Sequence, residues 1–141
     1  MRTLLIGALL WPALAWAAPP PADSEDSRIM APYVRWITTQ HDSAGHWCCD
    51  IGDGRPVEAE IRLVGRDGTP FDNIGQSSGE SIMPTAAMWF VHVTPEHFPG
   101  QPDHWLAVPD DKIIRNANPT GLPILWLLQG RVQCFAPPDG V

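Results

Sequence analysis

Ile124-Leu125-Trp126-Leu127-Leu128-Gln129-Gly130-Arg131-Val132-Gln133-Cys134-Phe135, near the end of a 141-residue chain, has the form of a β-hairpin. Two short runs rich in apolar residues flank a two-residue connection containing glycine, the spacing of a tight turn between antiparallel strands. Period two then puts Val132 and Cys134 on one face of the second strand, with Gln133 and Phe135 on the other. If Val132 faces the core, Cys134 does too, and a disulfide made by Cys134 is shielded from reductant.

Just upstream, Asn118-Pro119-Thr120-Gly121 has the residue preferences of a type I turn feeding the hairpin. Pro119 also disqualifies Asn118 as a glycosylation acceptor. Three further strands precede it. Val57, Ala59, Ile61 and Leu63 alternate with Glu58, Glu60 and Arg62, the pattern of a half-buried strand. Met88-Trp89-Phe90-Val91-His92-Val93 is apolar enough to be covered on both faces for part of its length. His104-Trp105-Leu106-Ala107-Val108 is closed by Pro109, and residues 65–84, rich in glycine and polar residues, form a long loop. Before the strands, Ile29, Met30, Tyr33, Val34, Trp36 and Ile37 recur at helical spacing, which predicts a short helix over 30–41 with Pro32 in its first turn and Gly45 ending the segment. The expected class is mainly β (α+β): a small curled antiparallel sheet or partly open barrel of about five strands, with one N-terminal helix across a face.

The N-terminus fixes the expected compartment. Met1-Arg2, the apolar run Thr3–Trp11 and the small-x-small pattern Ala15-Trp16-Ala17 are the three parts of a secretory signal peptide. Residues 1–17 are expected to be removed, with no membrane span left after cleavage. Residues 18–28, rich in proline and acid, read as a disordered spacer, 29–137 as one disulfide-stapled domain and 138–141 as a tail. The net charge is -7 and Lys112 is the single lysine, so neither a nucleic-acid groove nor an anionic-membrane surface is expected. The expected location is periplasmic or secreted.

His46-Trp47-Cys48-Cys49-Asp50 is the segment richest in chemistry. Three cysteines in an exported chain allow one intramolecular disulfide. Adjacent cysteines bridge each other only through a strained ring, so the expected bond joins Cys134 to Cys48 or Cys49. A competing use is a copper or zinc site drawn from His41, His46, Cys48 and Cys49, with Asp50 beside them, since imidazole and thiolate suit both metals. A Cys–His nucleophile pair is the third use, with no local motif behind it. Trp47 and Asp50 are the candidate binding residues, Trp47 as an exposed anchor. Asp50-Ile51-Gly52-Asp53-Gly54 lacks the alternating acids and distal glutamate of a calcium loop and reads as a turn. His92, His97 and His104 read as surface or satisfied core histidines, and Glu58 and Glu60 as a solvated strand face. Trp89, Trp105 and Trp126 read as core, and Trp36 as the helix's contact with the sheet.

Cys48-Cys49-Asp50, Arg55-Pro56-Val57-Glu58-Ala59, Val108-Pro109-Asp110-Asp111-Lys112-Ile113, Asn118-Pro119-Thr120-Gly121 and Cys134-Phe135, in this order, resemble a group of small uncharacterised exported proteins of alpha-proteobacteria. The resemblance covers about residues 30–137 and implies export without implying an activity. Members of that group carry further cysteines near Gly54 and Trp126, and neither is present here. The stretch from Trp105 to Ile114 is also similar to the late strand of SH3-like barrels, which implies a small barrel and no ligand. Together these readings give an exported, non-catalytic binding or structural module acting on an envelope protein or small ligand. The alternative is a metal- or thiol-handling protein built on His46, Cys48 and Cys49.

Overall fold

Six strands in two antiparallel sheets carry the core of the computed structural model, which describes residues 20–48, 54–66, 68–70 and 84–138. The leader over 1–17, Cys49, Asp50 and most of the tail lie outside the described residues. Strands β1 (Arg55–Pro56), β5 (Ile124–Leu128) and β6 (Arg131–Ala136) form one sheet in the order β1-β5-β6. Strands β2 (Ala59–Val64), β3 (Ala86–Val93) and β4 (His104–Ala107) form the other, in the order β2-β3-β4. The mainly β class with a helical N-terminal segment is present, with two small sheets in place of one curled sheet and, among the described residues, no closed barrel.

The strand expected from Val57 onward is split because the chain changes sheets there. Val57 N donates to Pro123 O, beside β5, whereas Glu58 O accepts from His92 N on β3. Pro56 has no N–H to give and sits on the edge strand of its sheet, where that costs least. Gly54, one residue before β1, stands so close to Trp126 that a Cβ there would come within 2.7 Å of the indole.

Ser24 starts the helical segment. Its hydroxyl accepts from Ser27 N at 3.2 Å, capping α1 (Glu25–Met30), and Glu25 and Asp26 lie in the first turn, where the helix dipole favours acid. The expected spacer is therefore shorter than 18–28, because residues 24–28 are capped, helical and tied down. Asp26 is buried and its carboxylate meets His97 Nδ1 at 2.9 Å, which anchors α1 to the segment after β3. Pro32 stands in a first turn, as expected, but of a separate 3-10 helix (Ala31–Tyr33), since it cannot donate to the carbonyl four residues back and continue α1. A second short helix, α2 (Val34–Ile37), follows and ends well before residue 41. Gly45, at φ +85°, closes a later turn in which its N–H bonds Asp42 O.

The hairpin has the expected two-residue connection, with Gln129 at φ 51° and Gly130 at φ 74°, both left-handed as a type I′ turn requires. Its register contains a bulge. Trp126 pairs with Cys134 and Leu127 with Val132, which leaves Gln133 as the extra residue. The bulge resets the alternation, so Val132 does not share a face with Cys134. Val132 and Phe135 pack with Leu125 and Leu127 in the core between the two sheets, alongside Val57, Val91, Val93, Phe98, Val108 and Ile113. Cys134 and Ala136 face the other way with Ile124 and Trp126, against Met30, Ile37 and Cys48 of the N-terminal segment and Ile114 of the connection after β4. Sheet β1-β5-β6 is thus covered on both faces, which explains why Ile124–Leu127 contains no polar residue.

Candidate binding surface

The segment after α2 folds back on itself around one carboxylate. Asp42 Oδ1 accepts from Ala44 N at 3.0 Å and His46 N at 2.8 Å, and its Oδ2 accepts from Lys112 Nζ at 2.8 Å and meets His46 Nδ1 at 3.2 Å. The Asp42 side chain is fully buried. Burial alone would raise its pKa, but the bond from Lys112 and those from His46 outweigh it and hold the carboxyl down at about 2. Lys112 is raised in turn, chiefly by its bond to Asp42. Ser43 Oγ adds a bond to Asp110 O at 3.0 Å. This loop is locked onto the 3-10 turn Asp110–Lys112 by charge and hydrogen bonds rather than by apolar packing.

Cys48 ends the loop and is joined to Cys134, 86 residues away, with both residues 0% exposed. Of the two pairings open to Cys134, the structure holds the one with Cys48. The bond ties the N-terminal segment to β6 within the core that contains Trp126. It also removes Cys48 from the thiolates that the metal reading offered, because a disulfide sulfur is no thiolate ligand. The histidines are not gathered either: His41 Nδ1 lies 3.1 Å from Thr39 O, while His46 turns to Asp42. Among the described residues, no three His, Cys, Asp or Glu side chains come together as a metal would need. Cys49 and Asp50, the other residues of that reading, lie outside the described residues.

Trp47 is 47% exposed, with its indole N–H donating to Thr38 O at 3.2 Å. An isolated bridge pairs Trp47 with His41, and both His41 and His46 are exposed beside it. The ring is held by its bond to the Thr38 carbonyl and is half exposed to solvent, so a contact made there loses little side-chain freedom.

A second surface was not legible as a unit. The outer face of β2-β3-β4 carries Arg62 between two rings, 4.9 Å from the centroid of Phe90 and 4.6 Å from that of Trp105. His92 stacks on Trp105 with centroids 4.9 Å apart, and its two nitrogens meet Asp103 at 2.8 Å and Glu58 at 3.3 Å. The Asp103 bond raises the His92 pKa, burial opposes it and Glu58 adds to the rise. Trp105, expected in the core, is instead on this face; Leu106, its neighbour, points inward. Trp89 and Trp126 do pack in the core, and Trp36 lies 6.2 Å from Trp126. The signal for Trp105 was available in principle, since His92 and Trp105 are paired residues on neighbouring strands. Strand register is not written in either strand alone. Comparison with protein-family models, curated proteins and solved structures found no match to the chain.

Proposed function

We propose that this chain is an exported, non-catalytic module that binds or stabilises a partner in the cell envelope. The observation that carries the reading is the Cys48–Cys134 disulfide, fully buried between the N-terminal segment and the sheet. Structural disulfides persist in oxidising compartments and are rare where thiols are kept reduced. The leader pattern of Met1–Ala17 supports the same compartment. Among the described residues, no helix is long and apolar enough to cross a membrane.

The chemistry near Trp47 favours contact over turnover. Cys48 is bonded, His46 is engaged by Asp42 and Asp42 is held ionised by Lys112, and the half-exposed indole of Trp47 is the large apolar group offered there. The partner is read as an envelope protein or small ligand seated on Trp47. Expression of the full chain with its leader in a Gram-negative host, followed by fractionation, tests the reading. The expected result is a shortened protein in the periplasmic fraction that turns over nothing on a broad hydrolase panel. Full-length protein confined to the cytoplasm, or turnover abolished by a point substitution, would overturn it.

A further inference from the structure

His92 is held from two neighbouring strands by opposite ends of one ring. It lies on β3, the middle strand of its sheet, and its backbone N–H donates to Glu58 O. Val108 N bonds Trp89 O, so by period two His92 and Trp105 form a non-hydrogen-bonded pair, the kind whose side chains approach most closely. Their rings accordingly stack, with planes 9° apart. The stacked ring aims Nε2 at Asp103 Oδ1, 2.8 Å away just before β4, and Nδ1 at Glu58 Oε2, 3.3 Å away just before β2. These two carboxylates, and Arg62 over the same Trp105 ring with its own partner Glu60, are the charged groups that face His92 from β2 and β4.

Both contacts are hydrogen bonds in one protonation state alone. An ionised carboxylate only accepts, so each ring nitrogen must donate, and an imidazole donates from both only as the imidazolium. The cation gains further from the indole face on which it is stacked. The neutral ring keeps a single N–H, and its other nitrogen then turns a lone pair toward a carboxylate. Asp103 makes the shorter contact and is the chief cause of the raised His92 pKa, so it holds the remaining N–H. Glu58, with a side chain 71% exposed, exchanges the ring for water at little cost.

We propose that His92 is a proton-operated clamp on the outer face of β2-β3-β4: protonated, it fastens the side chains of Glu58 and Asp103 together, and neutral, it keeps Asp103 and releases Glu58. Release frees a carboxylate at the point where the chain passes from one sheet to the other. Loss of the proton also adds one net negative charge to a face that sets Glu58, Glu60 and Asp103 against Arg62. The backbone bond from His92 N to Glu58 O does not involve the ring, so the strands stay paired and the change is confined to the surface. The inference is independent of the proposed export and of Trp47.

Proton–nitrogen correlation NMR of the His92 ring through a pH titration of the disulfide-bonded protein tests it, with thermal melts to show that each variant folds. The expected result is two protonated ring nitrogens below the midpoint and the Nε2–H tautomer above it, with the Glu58 side-chain carboxyl resonance moving at the same midpoint. Asp103→Asn and Glu58→Gln should each lower that midpoint, Asp103→Asn by more, and added salt should shrink both shifts. If either variant fails to fold, the wild-type tautomer and the Glu58 resonance still decide. An Nδ1–H tautomer above the midpoint, or a midpoint moved by neither substitution, would overturn the inference.

Discussion

At the scale of single residues, Asp42 is the group whose environment does most. It accepts four bonds from inside a turn that would otherwise have no apolar reason to dock. Removing the cation while leaving the buried carboxylate should be costly. Lys112→Met is expected to lower stability by about 3–5 kcal/mol in a denaturant titration, the usual penalty for stranding one partner of a buried pair. The pH dependence has a defined sign. Asp42 titrates at about 2 in the folded chain against 3.8 as its ordinary value, so its contribution is present above 3.8 and is lost as pH falls toward 2. That increment is about 2 kcal/mol at most. In Lys112→Met the acid limb should move to higher pH. Neither Asp42 nor Lys112 could be paired from sequence, because 70 residues separate them and their meeting depends on how the loop after α2 lands on the 3-10 turn.

At the scale of elements, local pattern was legible and its interruption was not. The β5–β6 hairpin and its two-residue turn follow from residues 124–135 alone. The bulge at Gln133 does not, and it reverses which core Val132 serves. Likewise the alternation from Val57 to Leu63 marks a strand but not the point between Val57 and Glu58 where the chain leaves one sheet for the other. Pro32 was visible as a helix constraint, whereas the earlier start at Glu25 rests on the Ser24 cap, within a stretch whose composition reads as spacer. The turn itself offers a test. Gln129 is the one non-glycine among the described residues at positive φ, in a position that favours asparagine. Gln129→Asn should raise stability by about 0.5–1 kcal/mol, read as an upward shift in Tm. A second test concerns the clamp that joins Glu58, β3 and the residue before β4. The pKa of His92 is raised above 6.5, so its stabilising charge is complete below that value and is lost as pH rises through the raised one. The Tm advantage of the wild type over His92→Gln should therefore be full below pH 6.5 and shrink as pH rises through the raised value, with the shrinkage damped by salt because Glu58 and Asp103 are exposed.

At the scale of the whole molecule, sheet β1-β5-β6 is a shared middle layer. One face meets the second sheet and the other meets the N-terminal segment, and the disulfide fastens that segment through Cys48 and Cys134. The sequence allowed a bond from Cys134 to either of two adjacent cysteines; the choice between them is made by the fold-back that places Cys48 N on Gln40 O. Cys134→Ala opens a covalent loop of 86 residues, and should cost about 2–5 kcal/mol, read as a large fall in Tm or failure to accumulate. The Cys48–Cys134 bond uses two of the three cysteines, and its formation in an oxidising compartment is the prediction most open to direct test. A non-reducing peptide map of alkylated protein recovered from the periplasm measures it directly. The predicted result is a protein lacking Met1–Ala17, a Cys48–Cys134 link and a single alkylated thiol at Cys49. Three alkylated thiols in a chain that still carries its leader would contradict it.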